Sequence, residues 1–75
     1  MKITVKCFAT LARHTPENAD EFPVEDGAAV ITIVERLGMK PEDINLIFVN
    51  SARAYLETEL NDGDRLGLFP AVGGG

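Results

Sequence analysis

Three consecutive glycines, Gly73, Gly74 and Gly75, end this sequence of 75 residues and are its most unusual chemical feature. Glycine has no Cβ, so a run of glycines can pass through a narrow channel and bring a carboxylate to the active site of another protein. The six residues from Pro70 to Gly75 reach about 20 Å when extended, at roughly 3.3–3.6 Å per residue. The one reactive group that this segment offers is the carboxylate of Gly75.

That carboxylate requires activation before it can accept sulfur or an amine. It is ionised at neutral pH and is therefore a poor electrophile. An acyl-adenylate is one activated form, and making it requires ATP. The sequence contains neither the Gly-x-x-x-x-Gly-Lys nor the Gly-x-Gly-x-x-Gly phosphate-binding motif. If the glycine segment takes part in chemistry, we expect another protein to activate it.

The other side chains capable of chemistry are isolated or dispersed. Cys7 falls on the same side of an alternating segment as Ile3 and Val5, which predicts a small core residue and not a reactive thiol. His14 has no partner residues that would make it a metal ligand, so we predict a surface loop position. Acidic residues near the end of the chain are predicted to be solvated, and their charges could also complement a basic surface on a partner. They are Glu57, Glu59, Asp62 and Asp64.

Composition narrows the class of protein. The formal net charge of −5 and the pI of about 4.6 disfavour direct binding of nucleic acid. One cysteine cannot form an internal disulfide or a four-cysteine metal site. No apolar run approaches the roughly 18–20 residues that span a membrane, so a cytoplasmic protein is expected. A chain this short buries only about 60% of its unfolded surface, which leaves little room for an enclosed active site.

The hydrophobic pattern predicts a single α+β domain, which the glycine segment follows. Strict alternation over residues 2–8 predicts a half-buried strand, and further strands are predicted over 19–24, 44–49, 53–56 and 65–69. Short helical turns are predicted at 11–13 and 41–43, and tight turns at 25–27, 50–52 and 61–64.

Residues 28–38 fit two structures. The five β-branched residues of 30–34 favour a buried strand. The apolar residues that start at Val30 nevertheless recur at i, i+3, i+4 and i+7, which is one face of a helix, and Gly38 stands where a helix C-terminus favours glycine. The pattern favours a helix and leaves the strand open.

The predicted order β-β-α-β-β-β leaves one face of the sheet uncovered, since only one helix is available. We expect Phe8, Phe69 and part of strand 44–49 to contribute apolar surface there. An apolar patch on so small a protein is a candidate partner site. Pro23 cannot donate a backbone hydrogen bond, which suits an edge strand.

Both ends of the chain resemble one family. The segment from Asp62 to Gly75 reads Asp-Gly-Asp-Arg-Leu-Gly-Leu-Phe-Pro-Ala-Val-Gly-Gly-Gly. It resembles the C-terminal signature of the MoaD/ThiS small sulfur carriers, which are ubiquitin-like β-grasp proteins. The segment from Lys2 to Arg13 resembles the first strand and helix of the molybdopterin synthase small subunit. The resemblance covers the whole chain and implies a mixed sheet of four to five strands with one main covering helix at residues 28–38.

The resemblance implies a non-catalytic, sulfur-carrying subunit with no active site of its own. An E1-like enzyme would adenylate the Gly75 carboxylate with ATP, and a sulfur donor would convert it into a thiocarboxylate. The carrier would bind no cofactor itself. It would dock on the large subunit of molybdopterin synthase and deliver sulfur to a pterin precursor of molybdenum cofactor.

The resemblance also implies roles for the residues around the carboxylate. Gly73 and Gly74 would allow the tail to thread into a partner, while Phe8, Phe69 and Pro70 would contact that partner. The implied domains are a β-grasp domain over 1–70 and a flexible tail over 71–75. The alternatives are a carrier for thiamine thiazole or another sulfur-requiring pathway, a ubiquitin-like modifier joined to lysines, and a β-grasp module without tail chemistry.

Overall fold

A five-stranded mixed sheet carries one α-helix on one of its faces. The computed structural model describes residues 1–71. Across the sheet the strand order is β2-β1-β5-β3-β4, with β1 and β5 parallel and the other neighbours antiparallel. The strands are β1 (Lys2–Cys7), β2 (Phe22–Pro23), β3 (Ile44–Val49), β4 (Ala52–Ala54) and β5 (Arg65–Pro70), and the helix is α1 (Val30–Arg36). Short 3-10 helices span Ala9–His14, Ala19–Glu21 and Pro41–Asp43.

The core lies between α1 and the inward face of the sheet. Alternation along β1 and β5 turns every second side chain toward the helix, as the sequence pattern predicts. Each of these inward side chains is at most 2% exposed, so the central parallel pair is the most protected part of the sheet. They are Ile3, Val5, Leu66 and Leu68.

The β-branched segment that fits both a strand and a helix forms α1. Its weak helix propensity costs up to about 0.7 kcal/mol per residue. Burial outweighs that cost, because each buried Val or Ile contributes about 1.5–3 kcal/mol, and Val30, Ile33 and Val34 are completely buried. No helix within residues 1–71 is long and apolar enough to cross a membrane.

Backbone groups cap both ends of α1. At its start, the N–H groups of Val30 and Ile31 donate to carbonyls of the loop after β4, so no side-chain cap is needed. At its end, Gly38 has a φ of +79° and its N–H donates to the Glu35 carbonyl, while the Met39 N–H donates to the Val34 carbonyl. This pair of bonds is a Schellman motif, which explains the glycine that the sequence places there.

The structure corrects the bounds of two predicted strands. Residues 19–21 form a 3-10 helix, and only Phe22–Pro23 pairs with β1, at the edge of the sheet that Pro23 predicts. The predicted strand 53–56 instead spans Ala52–Ala54. It begins earlier because the turn before it is only two residues long, with φ of 53° and 71°. It ends earlier because the Tyr55 N–H donates to the Thr58 hydroxyl instead of to a strand.

Candidate functional site

The open face of the sheet, opposite α1, carries three phenylalanines, of which Phe69 contacts the other two. The rings of Phe8 and Phe69 are stacked, with centroids 4.3 Å apart and an interplanar angle of 3°. Phe48 meets Phe69 edge-on, with centroids 5.7 Å apart and an angle of 81°. Phe8 is 38% exposed. We call these three residues the aromatic cluster, and offset or edge contacts of this kind are favourable for aromatic pairs.

A glycine beneath the rings makes room for the cluster. Gly67 lies in β5, level with Lys6 of β1 and with Phe48 of β3. A Cβ at this position would lie 3.5 Å from Cε2 of Phe8 and 3.9 Å from Cε2 of Phe69. The rings therefore lie against the bare backbone of the central strand, and a longer side chain at Gly67 would displace them.

Beside the cluster is a shallow groove of about 380 Å³. Its apolar part is the aromatic cluster with Gly67 and Leu66, and its polar part is Lys6, Ser51 and Arg65. Apolar groups flanked by a few charged ones are typical of a protein-binding patch.

The structure brings two of the predicted partner-binding residues together and places the third next to them. Phe8 and Phe69 form the stacked pair. Pro70 is the last residue of β5, half-buried and level with Ile44 in the sheet. The N–H of Ala71 donates to the carbonyl of Asp43 at 2.9 Å, which fixes where the chain leaves the sheet. The predicted reactive and threading residues Gly75, Gly73 and Gly74 lie outside the described residues.

Sequence reasoning missed the residues that complete this surface. It expected part of strand 44–49 on the open face without identifying Phe48 as the residue that contacts Phe69. It gave no role to Gly67, Lys6 or Arg65. Strand alternation could have placed Lys6 on the open face, since it alternates with the inward Val5. That Lys6, Gly67 and Phe48 are neighbours follows only from the pairing of β1, β5 and β3.

Cys7 is a half-buried residue that packs against the core. Burial raises the pKa of its thiol, an effect partly offset by a hydrogen bond with Thr15. A raised pKa keeps the thiol protonated, and the thiolate is the nucleophilic form. This environment agrees with the small packing residue that the sequence predicts.

Two other predicted surface residues are more enclosed than expected. His14 is the last residue of a 3-10 helix and is half-buried, with Nδ1 3.2 Å from the Leu37 carbonyl oxygen. Asp64 is only 7% exposed, because its carboxylate accepts hydrogen bonds from the Asn61 N–H at 2.8 Å and the Asn50 side-chain amide at 2.9 Å. The remaining acidic residues of that group are exposed or at a turn, as predicted. They are Glu57, Glu59 and Asp62.

Comparisons with known proteins agree with this architecture. The model of the ThiS family matches residues 5–75. A structure assigned as molybdopterin converting factor subunit 1 from Pyrococcus furiosus is 28% identical, with a TM-score of 0.71 over 95% of this chain and 98% of that one. The crystal structure of SAMP1 from Haloferax volcanii is 25% identical, with a TM-score of 0.70 over the whole of both chains. No curated protein matches the sequence significantly.

These findings settle the fold and the family. The five-stranded sheet with one main helix is a β-grasp fold, as the resemblance predicts. The family match covers nearly the whole chain, including the glycines at its end. The chain belongs to the ThiS family of ubiquitin-like sulfur carriers.

Proposed function

We propose that this chain carries sulfur as a thiocarboxylate on Gly75 and delivers it in molybdopterin synthesis, as the small subunit of molybdopterin synthase. The observation that carries the proposal is the family match, because it continues from residue 5 through Gly75. The likeness to the Pyrococcus protein over 95% of the chain supports the choice of pathway.

The chemistry proceeds in two steps on the Gly75 carboxylate. A carboxylate oxygen attacks the α-phosphate of ATP on an E1-like enzyme, which forms the acyl-adenylate and releases pyrophosphate. Hydrosulfide from a sulfur donor then attacks the acyl carbon, the bond to the AMP oxygen breaks, and AMP leaves. The product is a thiocarboxylate in which sulfur replaces one carboxylate oxygen. ATP is consumed by the activating partner, and this chain contributes the acyl group.

The open face supports docking beside the reactive end. Phe69 of the aromatic cluster is followed directly by Pro70 and Ala71, where the chain leaves the sheet. A partner that covers the cluster therefore also meets the start of the segment that leads to Gly75. Because Ala71 is held against Asp43, the free reach is that of the four residues after it, about 13–14 Å when extended at roughly 3.3–3.6 Å per residue. That reach allows the carboxylate to act inside the partner while the domain remains outside.

Complex formation and sulfur delivery test the choice of pathway. The thiocarboxylated chain is mixed with the large subunit of molybdopterin synthase and the pterin precursor, and in parallel with a thiazole synthase and its substrates. We expect a complex with the large subunit, dithiolene product, and return of the Gly75 end to a carboxylate. Turnover only with the thiazole synthase would assign the other pathway. A Lys–Gly75 isopeptide on other proteins, without sulfur delivery, would identify a protein modifier.

A further inference from the structure

Charge is divided unevenly between the sheet and the rest of this acidic chain. The strands contain four of the seven basic residues and none of the twelve acidic ones. The acidic residues lie in the turns, the loops and the helices. The four basic strand residues are Lys2, Lys6, Arg53 and Arg65.

Two of these cations lie beside the aromatic cluster. Lys6 is level with Gly67 in the pairing of β1 and β5, and Arg65 is two residues before Gly67 on the same face of β5. Both side chains are exposed and both line the groove. Within residues 1–71 neither forms an ion pair shorter than 4.0 Å, whereas the N-terminal amine pairs with Asp26 at 3.7 Å. Their charges are therefore available to a partner.

We propose that the aromatic cluster, Lys6 and Arg65 together select a protein surface that presents an apolar side chain flanked by carboxylates. The apolar group would lie on the cluster, and the carboxylates of Asp or Glu residues would meet Lys6 and Arg65. This inference rests on the proposed function, because it describes how the carrier engages the E1-like enzyme that activates Gly75.

The uneven distribution of charge also orients the encounter. An acidic partner surface is attracted to the basic strand residues and repelled by the loops, turns and helices, which contain all twelve acidic residues. Complementary charge of this kind raises association rates and disfavours wrong orientations more than it increases affinity. The net charge of −5 disfavours a long polyanion such as a nucleic acid, which would extend past the basic face. A compact patch of carboxylates avoids that repulsion.

Charge reversal at the face tests the proposal. The KM for the carrier is measured by ATP–pyrophosphate exchange with the E1-like enzyme at low and high salt. The test variant is Lys6→Glu with Arg65→Glu. The matched control is Arg13→Glu with Lys40→Glu, which makes the same change in net charge at exposed positions outside the sheet. We expect KM to rise by about tenfold or more at low salt in the test variant, with kcat kept, and by no more than about twofold in the control.

Carbodiimide cross-linking supplies an independent measurement on the unmodified chain. This reagent joins a lysine amine to a carboxylate in direct contact. We expect Lys6 to cross-link to Asp or Glu residues of the activating enzyme, and Lys40 to remain unlinked. Equal KM changes in both double variants, no salt dependence, or cross-links at Lys40 without Lys6 would overturn the inference alone. Failure of the enzyme to activate the wild-type chain would overturn the proposed function as well.

Discussion

The ring of Phe8 lies parallel to that of Phe69, with 4.3 Å between centroids. The two residues come from opposite ends of the sequence and meet because β1 and β5 run side by side in parallel. The Phe8 N–H donates to the Leu68 carbonyl at 3.0 Å, which extends that pairing to the aromatic pair. Phe8, a predicted contact residue near the start of the chain, is thereby held against β5, the strand that leads to Gly75.

Removing the Phe8 ring is expected to weaken docking without unfolding the domain. The ring is 38% exposed, so Phe8→Ala loses little core packing, while a central aromatic anchor contributes about 2 kcal/mol to binding. The measurement is the dissociation constant for the E1-like enzyme by calorimetry. Tyr55→Ala is the matched control, since Tyr55 is a 57% exposed aromatic residue outside the cluster. Equal losses from both substitutions would contradict the assignment of the docking face.

Substitutions at Gly67 are expected to disturb the aromatic cluster according to the size of the new side chain, without unfolding the domain. The Cβ of Gly67→Ala would be in ordinary contact with Phe8 at 3.5 Å, so the stack should persist. The extra methyl groups of Gly67→Val would push the ring away, although valine favours strands. Ring-current shifts of the Phe8 protons, measured by NMR, report the stack. Unchanged shifts and unchanged partner binding in Gly67→Val would show that the cluster does not depend on this glycine.

Asp64 is expected to stabilise the junction between two turns. Replacing it with alanine removes the acceptor of the Asn61 N–H and of the Asn50 amide, and each such hydrogen bond contributes about 0.5–1.5 kcal/mol. Urea unfolding measures the loss in the free energy of unfolding. Glu57→Ala, at an exposed position, should change that value by less than about 0.5 kcal/mol. A loss no greater than that of the control would contradict the structural role of Asp64.

The Cys7 thiol is expected to react slowly and to make stability depend on pH. Burial raises the pKa of Cys7 in the folded chain, so folding favours the protonated thiol. The resulting stabilisation is fully present below the pKa of the thiol in the unfolded chain. It is lost as pH rises through the higher pKa of the thiol in the folded chain. Urea unfolding from neutral to alkaline pH should show this decline in the wild type and a smaller one in Cys7→Ala.

Alkylation provides the second measurement of the same thiol. Iodoacetamide near neutral pH should modify Cys7 more slowly in the folded chain than in urea, because less thiolate is present. Equal alkylation rates, or identical pH dependence of stability in both variants, would contradict the raised pKa.

Local sequence features predicted the elements of the fold well. Alternation identified the inward residues Ile3 and Val5, and the combination of helical spacing with Gly38 identified α1. The bounds predicted for β4 were wrong because they depend on a two-residue turn and a side-chain hydrogen bond. The Tyr55 N–H donates to the Thr58 hydroxyl and so ends β4 early.

The candidate site was predictable only in part, because it is built from contacts distant in sequence. Phe8 and Phe69 were expected on the uncovered face from the order of elements, and the family resemblance implied their contact with a partner. Phe48 joins them through the pairing of β3 with β5, which shifts register between Ile44 and Leu46. The burial of Asp64 likewise depends on a hairpin turn fourteen residues away. Alternation within one strand does not specify which positions meet across strands.

The most direct test of the sulfur-carrier function is the mass of the C-terminal peptide after activation. The chain is incubated with an E1-like enzyme, ATP and a sulfur source, and cleavage after Arg65 releases the peptide Leu66–Gly75. The thiocarboxylate predicts that this peptide gains the mass difference between sulfur and oxygen, and that a variant lacking Gly75 gains nothing. An unchanged mass, in a reaction that converts an authentic carrier, would contradict the function proposed for this chain.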